Sequence, residues 1–313
     1  MEDRNSFARP TNDLLFKRCI GNADHPEVAQ GLIGDILGIE VGQVVVQNPY
    51  SIARYQEDLE RQRLGTTAVD VLVRLVDRSQ VVIEMQVARQ EYFLERALFY
   101  TASHFASDYG RSDLKRGARR GDAKYSSLYP VYNISILDFQ QFEADADPLH
   151  AFSLYDVRHK VYFGPGEAAP GLGGLMSLVF LELGKPKAGA GERIGWMMDF
   201  FNGRGLPDEA PGYLKQALKL VDEQNLTREE IEMIDLAERA EEDRKAQIAF
   251  ARKEGEKRGE KRGEKLGEKR GEDKKAADVA KAALREGLEP DAIAKITGLD
   301  REAIERIKSE PEG

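Results

Sequence analysis

The chain has 313 residues, of which 41% are hydrophobic, and a formal net charge of −9. This length and apolar content suffice for a packed core in one large domain or two small ones. The single cysteine, Cys19, excludes an intramolecular disulfide framework and fits a reducing cytosol. The first residues lack a secretory pattern, and the densest apolar run, 175–183, is about half the length that spans a bilayer. We therefore expect a cytoplasmic protein with no membrane partner.

Two helices are predicted at the start of the chain. Asn12 or Asp13 can cap the first turn of the first helix. Pro26 begins the second helix and Gly38 ends it, as proline and glycine commonly do at these positions. The polar stretch that follows at 51–65 is interpreted as a mobile flap.

The most informative region predicts two antiparallel strands, Ala68–Val76 and Val81–Val87, joined by a tight turn. Alternation places Asp70 on one polar face, and Glu84 and Gln86 on the polar face of the second strand. The two polar faces coincide only if the residue numbers of each cross-strand pair add up to an even number, as in a pairing of Asp70 with Gln86. We therefore predict a connection of three or five residues, or a bulge.

The rest of the domain follows from the same two periodicities, 2 for strands and 3.6 for helices. The sequence predicts strands at 41–46, 129–138, 152–157 and 175–183, and helices at 91–108, 196–201 and 213–221.

The C-terminal part differs in composition. A cap at Thr227 begins a long helix that runs into a four-residue Gly-Glu-Lys-Arg repeat over 255–271. Residues 252–275 contain eleven basic and seven acidic side chains, a local charge of +4. A solvated spacer is the favoured interpretation, while a basic arm on DNA phosphates and a helix–helix contact along the glycines stay open.

Three short helices are predicted at the end of the chain, at 276–285, 290–297 and 300–307. This unit could be a helix-turn-helix-like DNA module, and a stabilising cap or an oligomerisation motif fits as well. The expected organisation is a domain at 8–224, a charged helical segment at 225–275 and a helical unit at 276–313. One apolar set is expected to form the core of the last unit: Ile293, Ile296, Leu299, Ile304 and Ile307.

Asp70, Glu84 and Gln86 are the candidate catalytic residues. Asp70 and Glu84 on adjacent strands could hold a divalent cation, because Mg²⁺ prefers oxygen ligands and keeps several waters. Gln86 could orient the attacking water, since an amide is not an effective base. By spacing alone, solvated polar residues on an open sheet face explain the pattern better, because polar alternation is common.

The motifs and their order resemble one family. The chain is similar to the Rpn recombination-promoting nucleases, or putative transposases, of the PD-(D/E)XK superfamily, and the similarity covers roughly residues 8–200. The segments that carry it are Asn12–Lys17, Val69-Asp70, Glu84-Met85-Gln86, Arg96 with Tyr100, and Tyr125 with Tyr129-Pro130.

The resemblance implies an α/β restriction-endonuclease-like core, with a central mixed sheet flanked by helices and an α-helical C-terminal tail. It implies Mg²⁺- or Mn²⁺-dependent DNA cleavage that promotes recombination in bacteria, with no other cofactor. Asp70 and Glu84 match the acidic metal ligands. Gln86 stands where the superfamily usually has lysine, and Val69 stands where the motif has its proline.

Supporting residues are expected around these three. Asp13 and Lys17 lie one helical turn apart and could reach the metal or a phosphate, although a local ion pair explains them equally well. Arg96 could bind a phosphate or pair with Glu84, and Tyr100 is more often an aromatic at the edge of a core. The basic loop 115–120 could contact phosphates, and a solvated loop is the simpler interpretation.

A second hypothesis belongs to a different class. The nuclease-like core could be a catalytically degenerate scaffold that binds DNA or protein, with self-association through the helical tail. Gln86 is the feature that leaves this open, and metal binding that depends on Asp70 and Glu84 distinguishes the two hypotheses.

Overall fold

The computed structural model describes residues 9–63, 70–111, 113, 124–164, 167–169 and 172–309. The chain divides into two compact units, Met1–Asp235 and Leu236–Gly313. In the described residues, no helix combines the length and the apolar character that a bilayer span requires.

A six-stranded mixed sheet forms the centre of the first unit, with strand order β1-β2-β3-β4-β10-β5. β3 pairs with β4 and β4 with β10 in parallel, and the other pairs are antiparallel. Two small ribbons, β6 with β7 and β8 with β9, lie outside this sheet. The strands are β1 Val45–Val46, β2 Val71–Arg74, β3 Gln80–Gln86, β4 Val131–Leu137, β5 Leu149–Ser153, β6 Tyr155–Asp156, β7 Val161–Tyr162, β8 Glu167–Ala169, β9 Leu172–Gly173 and β10 Met176–Glu182.

Helices cover both faces of the sheet. The larger core combines β2, β3, β4 and β10 with α1, α2, α5 and α6, and a smaller one packs Phe93 and Ala97 of α4 against Leu137 and Phe180. This is the predicted α/β architecture. The helices of the chain are α1 Asp13–Ile20, α2 Pro26–Leu37, α3 Ile52–Arg63, α4 Phe93–Ser107, α5 Glu192–Phe201, α6 Gly212–Val221, α7 Arg228–Arg285, α8 Pro290–Thr297 and α9 Arg301–Ser309.

The ends of the first two helices agree with the sequence. The Asn12 side chain accepts hydrogen bonds from the Leu14 and Leu15 N–H groups at 3.0 and 3.3 Å, and so caps α1. Gly38 ends α2 in the left-handed region, at φ 65°, where a side chain would be strained.

The pairing of β2 with β3 confirms the prediction that the residue numbers of each cross-strand pair add up to an even number. Val71 pairs with Ile83 and Arg74 with Gln80, so five residues connect the strands. The same register aligns Asp70 with Glu84, and the pairing of Asp70 with Gln86 that we gave as an example is wrong by two residues. Residues 68 and 69, where the first strand was expected to begin, lie outside the described residues.

The interpretation of 51–65 as a mobile flap is wrong for its described part, because Ile52–Arg63 forms α3. Tyr55 on this helix is buried in the main core. Tertiary packing therefore orders a segment whose own composition is polar.

In the second unit, α8 and α9 pack on the end of α7. Ala280, Ile293 and Ile304 are fully buried, with Leu299 and Ile307 packed against them. Ile296 is exposed, contrary to the prediction that it belongs to this core. Ile293 and Ala294 of α8 face the neighbouring helices, and Ile296, two residues after Ala294, lies on roughly the opposite side of the helix from Ala294.

Candidate active site

Asp70 and Glu84 lie side by side on neighbouring strands. Asp70 precedes β2 directly, and Glu84 lies within β3 at the position that the antiparallel register aligns with it. Glu84 is only 7% exposed. Alternation turns Glu84 away from the apolar side of β3, and the Asp70 carboxylate lies close enough for the charge of Glu84 to contribute to raising its pKa.

The Asp70 carboxylate is held from two sides. Its Oδ2 accepts a hydrogen bond from the Met85 N–H at 2.9 Å, and its Oδ1 lies 3.6 Å from Lys17 Nζ. The Asn48 side chain fixes the backbone here, because it donates to the Asp70 carbonyl and accepts from the Leu72 N–H. Asp70 is therefore positioned by β3, by α1 and by the loop before α3.

A polar cluster from α1 and α3 faces Asp70. Lys17, 5% exposed, lies 3.2 Å from Asp13 Oδ1 and 5.5 Å from the centre of the Tyr55 ring. Tyr55 also lies close enough to Asp13 for that carboxylate to contribute to raising the pKa of the phenol. The i,i+4 pair that the sequence shows is therefore part of a larger polar arrangement that includes Asp70.

Both candidate ligands are carboxylates whose charged forms are disfavoured. Burial, followed by the charge of Asp13, raises the pKa of Asp70 to about 7. The charge of Lys17 and the Met85 N–H oppose this rise. Burial also raises the pKa of Glu84, against the positive charge of Arg96. Two neighbouring carboxylates with raised pKa values, one buried and one partly buried, form a favourable environment for a cation.

Lys17 is protonated in this arrangement. Burial alone would lower its pKa, but the charges of Asp13 and Asp70 outweigh burial and raise it above the usual value. Its ammonium group is therefore a fixed positive charge and not a proton acceptor.

Gln86, Arg96 and Tyr100 lie around this centre. Gln86 is the last residue of β3, and its carbonyl accepts a hydrogen bond from the Asp138 N–H at 2.9 Å. Arg96 on α4 donates to Gln90, and its guanidinium lies 5.8 Å from the centre of the Tyr100 ring. The structure thus brings together four of the predicted site residues: Asp13, Lys17, Asp70 and Glu84. Arg96 lies close enough for its charge to act on Glu84, and Tyr100 contacts Arg96.

Tyr55, Asn48 and Asp58 were missed by the sequence analysis. The buried Asp58 carboxylate on α3 adds to the negative charge around Lys17. The spacing of Ile52 and Tyr55 is a weak helical signal that could have revealed α3. Two expectations, the role of Val69 and phosphate contacts from the loop 115–120, lie outside the described residues.

The donor set fits a hard divalent cation. In the described part of the chain, no group of three or more Asp, Glu, His or Cys side chains is arranged to hold a metal ion. Mg²⁺, however, is commonly held by one or two carboxylates together with water and a substrate phosphate. Asp70 and Glu84 supply such a pair.

A mixed sheet with two neighbouring carboxylates, one within β3 and one directly before β2, is consistent with a PD-(D/E)XK nuclease core. Residues 10–190 match the model of the PD-(D/E)XK nuclease family transposases. The match covers more than half of the chain, so the chain belongs to this family. Membership supports a nuclease-like function and an interaction with DNA. No curated protein matches the chain, and no solved structure does.

Proposed function

We propose that the chain is a Mg²⁺- or Mn²⁺-dependent endonuclease that hydrolyses DNA phosphodiesters with low sequence specificity. We also propose that it acts in the bacterial cytoplasm and that its cleavage promotes recombination. The observation that carries the proposal is the alignment of the partly buried Asp70 carboxylate with the buried Glu84 carboxylate, whose pKa values are both raised above the usual range.

Asp70 and Glu84 would hold the metal ion between β2 and β3. When bound, Mg²⁺ polarises the scissile phosphate and lowers the pKa of a water molecule in its shell. Gln86 lies two residues beyond Glu84 on the same face of β3, where its amide can orient the attacking water. An amide cannot accept the proton of that water, so Gln86 is a positioning residue in this proposal.

Lys17 would supply the positive charge that Gln86 lacks. Its ammonium lies beside Asp70, and Asp13 and Tyr55 fix its position. A fixed charge at this place can stabilise the negative charge that develops on the phosphate in the transition state. Arg96, on the Glu84 side, can bind a phosphate oxygen of the DNA backbone.

Low specificity follows from the kind of contact proposed. Contacts to phosphates from a metal ion, a lysine and an arginine fix the position of DNA but carry no direct sequence information. Specific recognition requires hydrogen bonds to base edges in a groove.

Nicking of supercoiled plasmid tests the proposal. The wild type is expected to nick DNA with Mg²⁺ or Mn²⁺ and not with EDTA, and Asp70→Asn and Glu84→Gln should each reduce the rate at least about a hundredfold. Both substitutions keep the shape of the side chain, so far-UV circular dichroism should be unchanged. Glu143→Gln, an exposed carboxylate in the loop before β5, is the control and should cleave normally.

Two results would contradict the proposal. Full nicking activity in a folded Asp70→Asn protein would show that Asp70 is not part of the active site. No nicking by the wild type with either metal would favour the alternative, a catalytically degenerate scaffold that binds DNA or protein.

A further inference from the structure

One face of α4 and the residue before it carry three aromatic rings together with one arginine. Arg96, Phe99 and Tyr100 are spaced at i, i+3 and i+4, which places them on one face of the helix, and Tyr92 directly precedes its first residue. Tyr92 is 65% and Phe99 67% exposed. We call these four residues the α4 stripe.

The members of the α4 stripe contact one another. The Phe99 and Tyr100 rings lie 5.7 Å apart at an interplanar angle of 65°, and the Arg96 guanidinium lies over the Tyr100 ring. Tyr92 precedes α4 in the left-handed region, at φ 58°, a conformation that is uncommon for an aromatic residue. The first turn of the helix thus begins with an exposed ring.

Exposed aliphatic residues of α4 lie on a different face. At 100° per residue, Leu94 and Leu98 point roughly opposite to Arg96. The α4 stripe itself combines flat rings, two phenol hydroxyls and a cation. This composition is poor for a dry helix–helix contact and well suited to nucleic-acid bases, which stack on aromatic rings and on guanidinium planes.

The α4 stripe begins beside the candidate active site. Phe93 and Ala97 of α4 pack against Leu137, which lies directly beside Gln86 in the parallel pair of β3 and β4. The positive charge of Arg96 on the same helix also acts on Glu84. A strand whose phosphate lies at Asp70 and Glu84 would carry its neighbouring bases towards these rings.

We propose that the α4 stripe stacks unpaired bases of the DNA strand being cut, so that the preferred substrate is single-stranded or has single-stranded segments. The proposal rests on the proposed nuclease function and adds the form of the substrate. In a duplex the faces of the bases are already stacked on each other, so they are not available to Phe99 or Tyr92.

Binding without cleavage tests this proposal. Fluorescence anisotropy in EDTA would measure affinity for a labelled oligothymidylate and for a hairpin duplex with the same number of phosphates. Phe99→Ala is expected to weaken single-strand binding about five- to a hundredfold, and Tyr92→Ala similarly. Duplex binding should change less than about twofold, and Phe99→Trp should retain single-strand affinity.

The matched control is Phe163→Ala, which removes the same side chain at 66% exposure just after β7. This variant should bind both DNA forms like the wild type. An equal effect of Phe99→Ala and Phe163→Ala on single-strand binding would overturn the proposal, and so would an equal loss on both DNA forms.

Analytical ultracentrifugation tests the alternative that the α4 stripe binds a second copy of the chain and not DNA. A wild-type dimer that Phe99→Ala converts to monomers, with single-strand affinity unchanged, would overturn the proposal. The binding measurement contains no metal, so it does not depend on cleavage. If the proposed nuclease site is wrong, this would appear separately, as nicking that Asp70→Asn does not affect.

Discussion

At the residue scale, Asp70 is unfavourable for folding and favourable for cation binding. Its carboxylate is largely shielded from solvent and lies near Asp13 and Glu84, and a single lysine, Lys17, is shared between Asp13 and Asp70. Such conflicts are common where a protein holds charge for function at some cost in stability.

Asp70→Asn is therefore predicted to stabilise the folded chain at alkaline pH. The pKa of Asp70 is about 7 in the folded protein against a usual 3.8, so between these values only the folded state binds the proton. The free energy of unfolding then falls as pH rises through this window. Asparagine removes the charge and can still accept from Met85, so we expect a gain of about 1–3 kcal/mol at pH 8 that disappears near pH 4.

Urea denaturation without divalent metal, at pH 4 and at pH 8, measures this difference. Glu143→Gln is again the control, because that exposed carboxylate should show no such pH-dependent gain. A lower free energy of unfolding for Asp70→Asn than for the wild type at pH 8 would contradict the prediction. It would mean that Lys17 and the Met85 N–H fully compensate the negative charge of Asp70.

At the element scale, the site depends on how strands and helices are joined. Asp108, directly after α4, is a buried link between α4, β2 and β3. Its carboxylate binds Arg74 at 2.8 and 3.1 Å and accepts a hydrogen bond from Gln80 at 2.6 Å. This ion pair attaches the α4 stripe to the same hairpin that carries Asp70 and Glu84.

The hairpin could be predicted from the sequence because its information is local. Alternation and the requirement that polar faces coincide limit the register to even sums, and β2 and β3 satisfy it with a five-residue connection. Alternation does not determine the length of the connecting loop. It therefore could not decide between Gln86, which we gave as an example, and Glu84, which the structure aligns with Asp70.

The cluster around Lys17 could not be predicted in the same way. Lys17 and Asp70 are 53 residues apart, and their contact exists because α1 packs against the sheet. α3 was missed because its composition is polar and its order comes from the burial of Tyr55. Contacts set by tertiary packing leave little trace in periodicity.

The start of α7 was readable because its signal is local. Thr227 Oγ1 accepts from the Glu230 N–H at 3.2 Å, and the Glu230 carboxylate accepts from the Thr227 N–H at 2.8 Å, a reciprocal capping box. Glu230 also binds Arg18 and Tyr50, so the first turn of the helix is held by contacts within the first unit.

The glycine repeat of α7 gives a prediction for an element. A methyl group at Gly259, Gly263 or Gly267 would meet no other atom within 4 Å. Replacing all three by alanine should therefore stabilise the helix by about 1 kcal/mol per site, since glycine is the poorer helix former. Far-UV circular dichroism on heating should show helix persisting to higher temperature.

The triple variant also distinguishes the interpretations of the repeat. A solvated spacer predicts unchanged nicking and an unchanged sedimentation coefficient. Loss of self-association in the triple variant would instead show that the glycines allow a close helix–helix contact.

At the scale of the whole molecule, the described residues contain a second cluster of charged side chains, around Glu182. In the second cluster, Glu182 at the end of β10 lies 2.7 Å from Lys185 Nζ and 3.1 Å from His150 Nε2. Its carboxylate also accepts hydrogen bonds from the Gln141 and Phe142 N–H groups. Glu182 is therefore supplied with positive charge and donors, whereas Asp70 shares its lysine with Asp13 and the pKa of Glu84 is raised by burial.

The most direct test of the account is to locate the metal ion in the protein. Fe²⁺ bound in place of Mg²⁺, with ascorbate and peroxide, generates radicals that cut the backbone near the metal, and mass spectrometry identifies the cuts. We predict cuts near Asp70 and near Glu84–Gln86 that excess Mg²⁺ suppresses and that are absent from Asp70→Asn. Cuts confined to the region of Glu182 and His150, or cuts that Asp70→Asn does not change, would contradict the proposed active site.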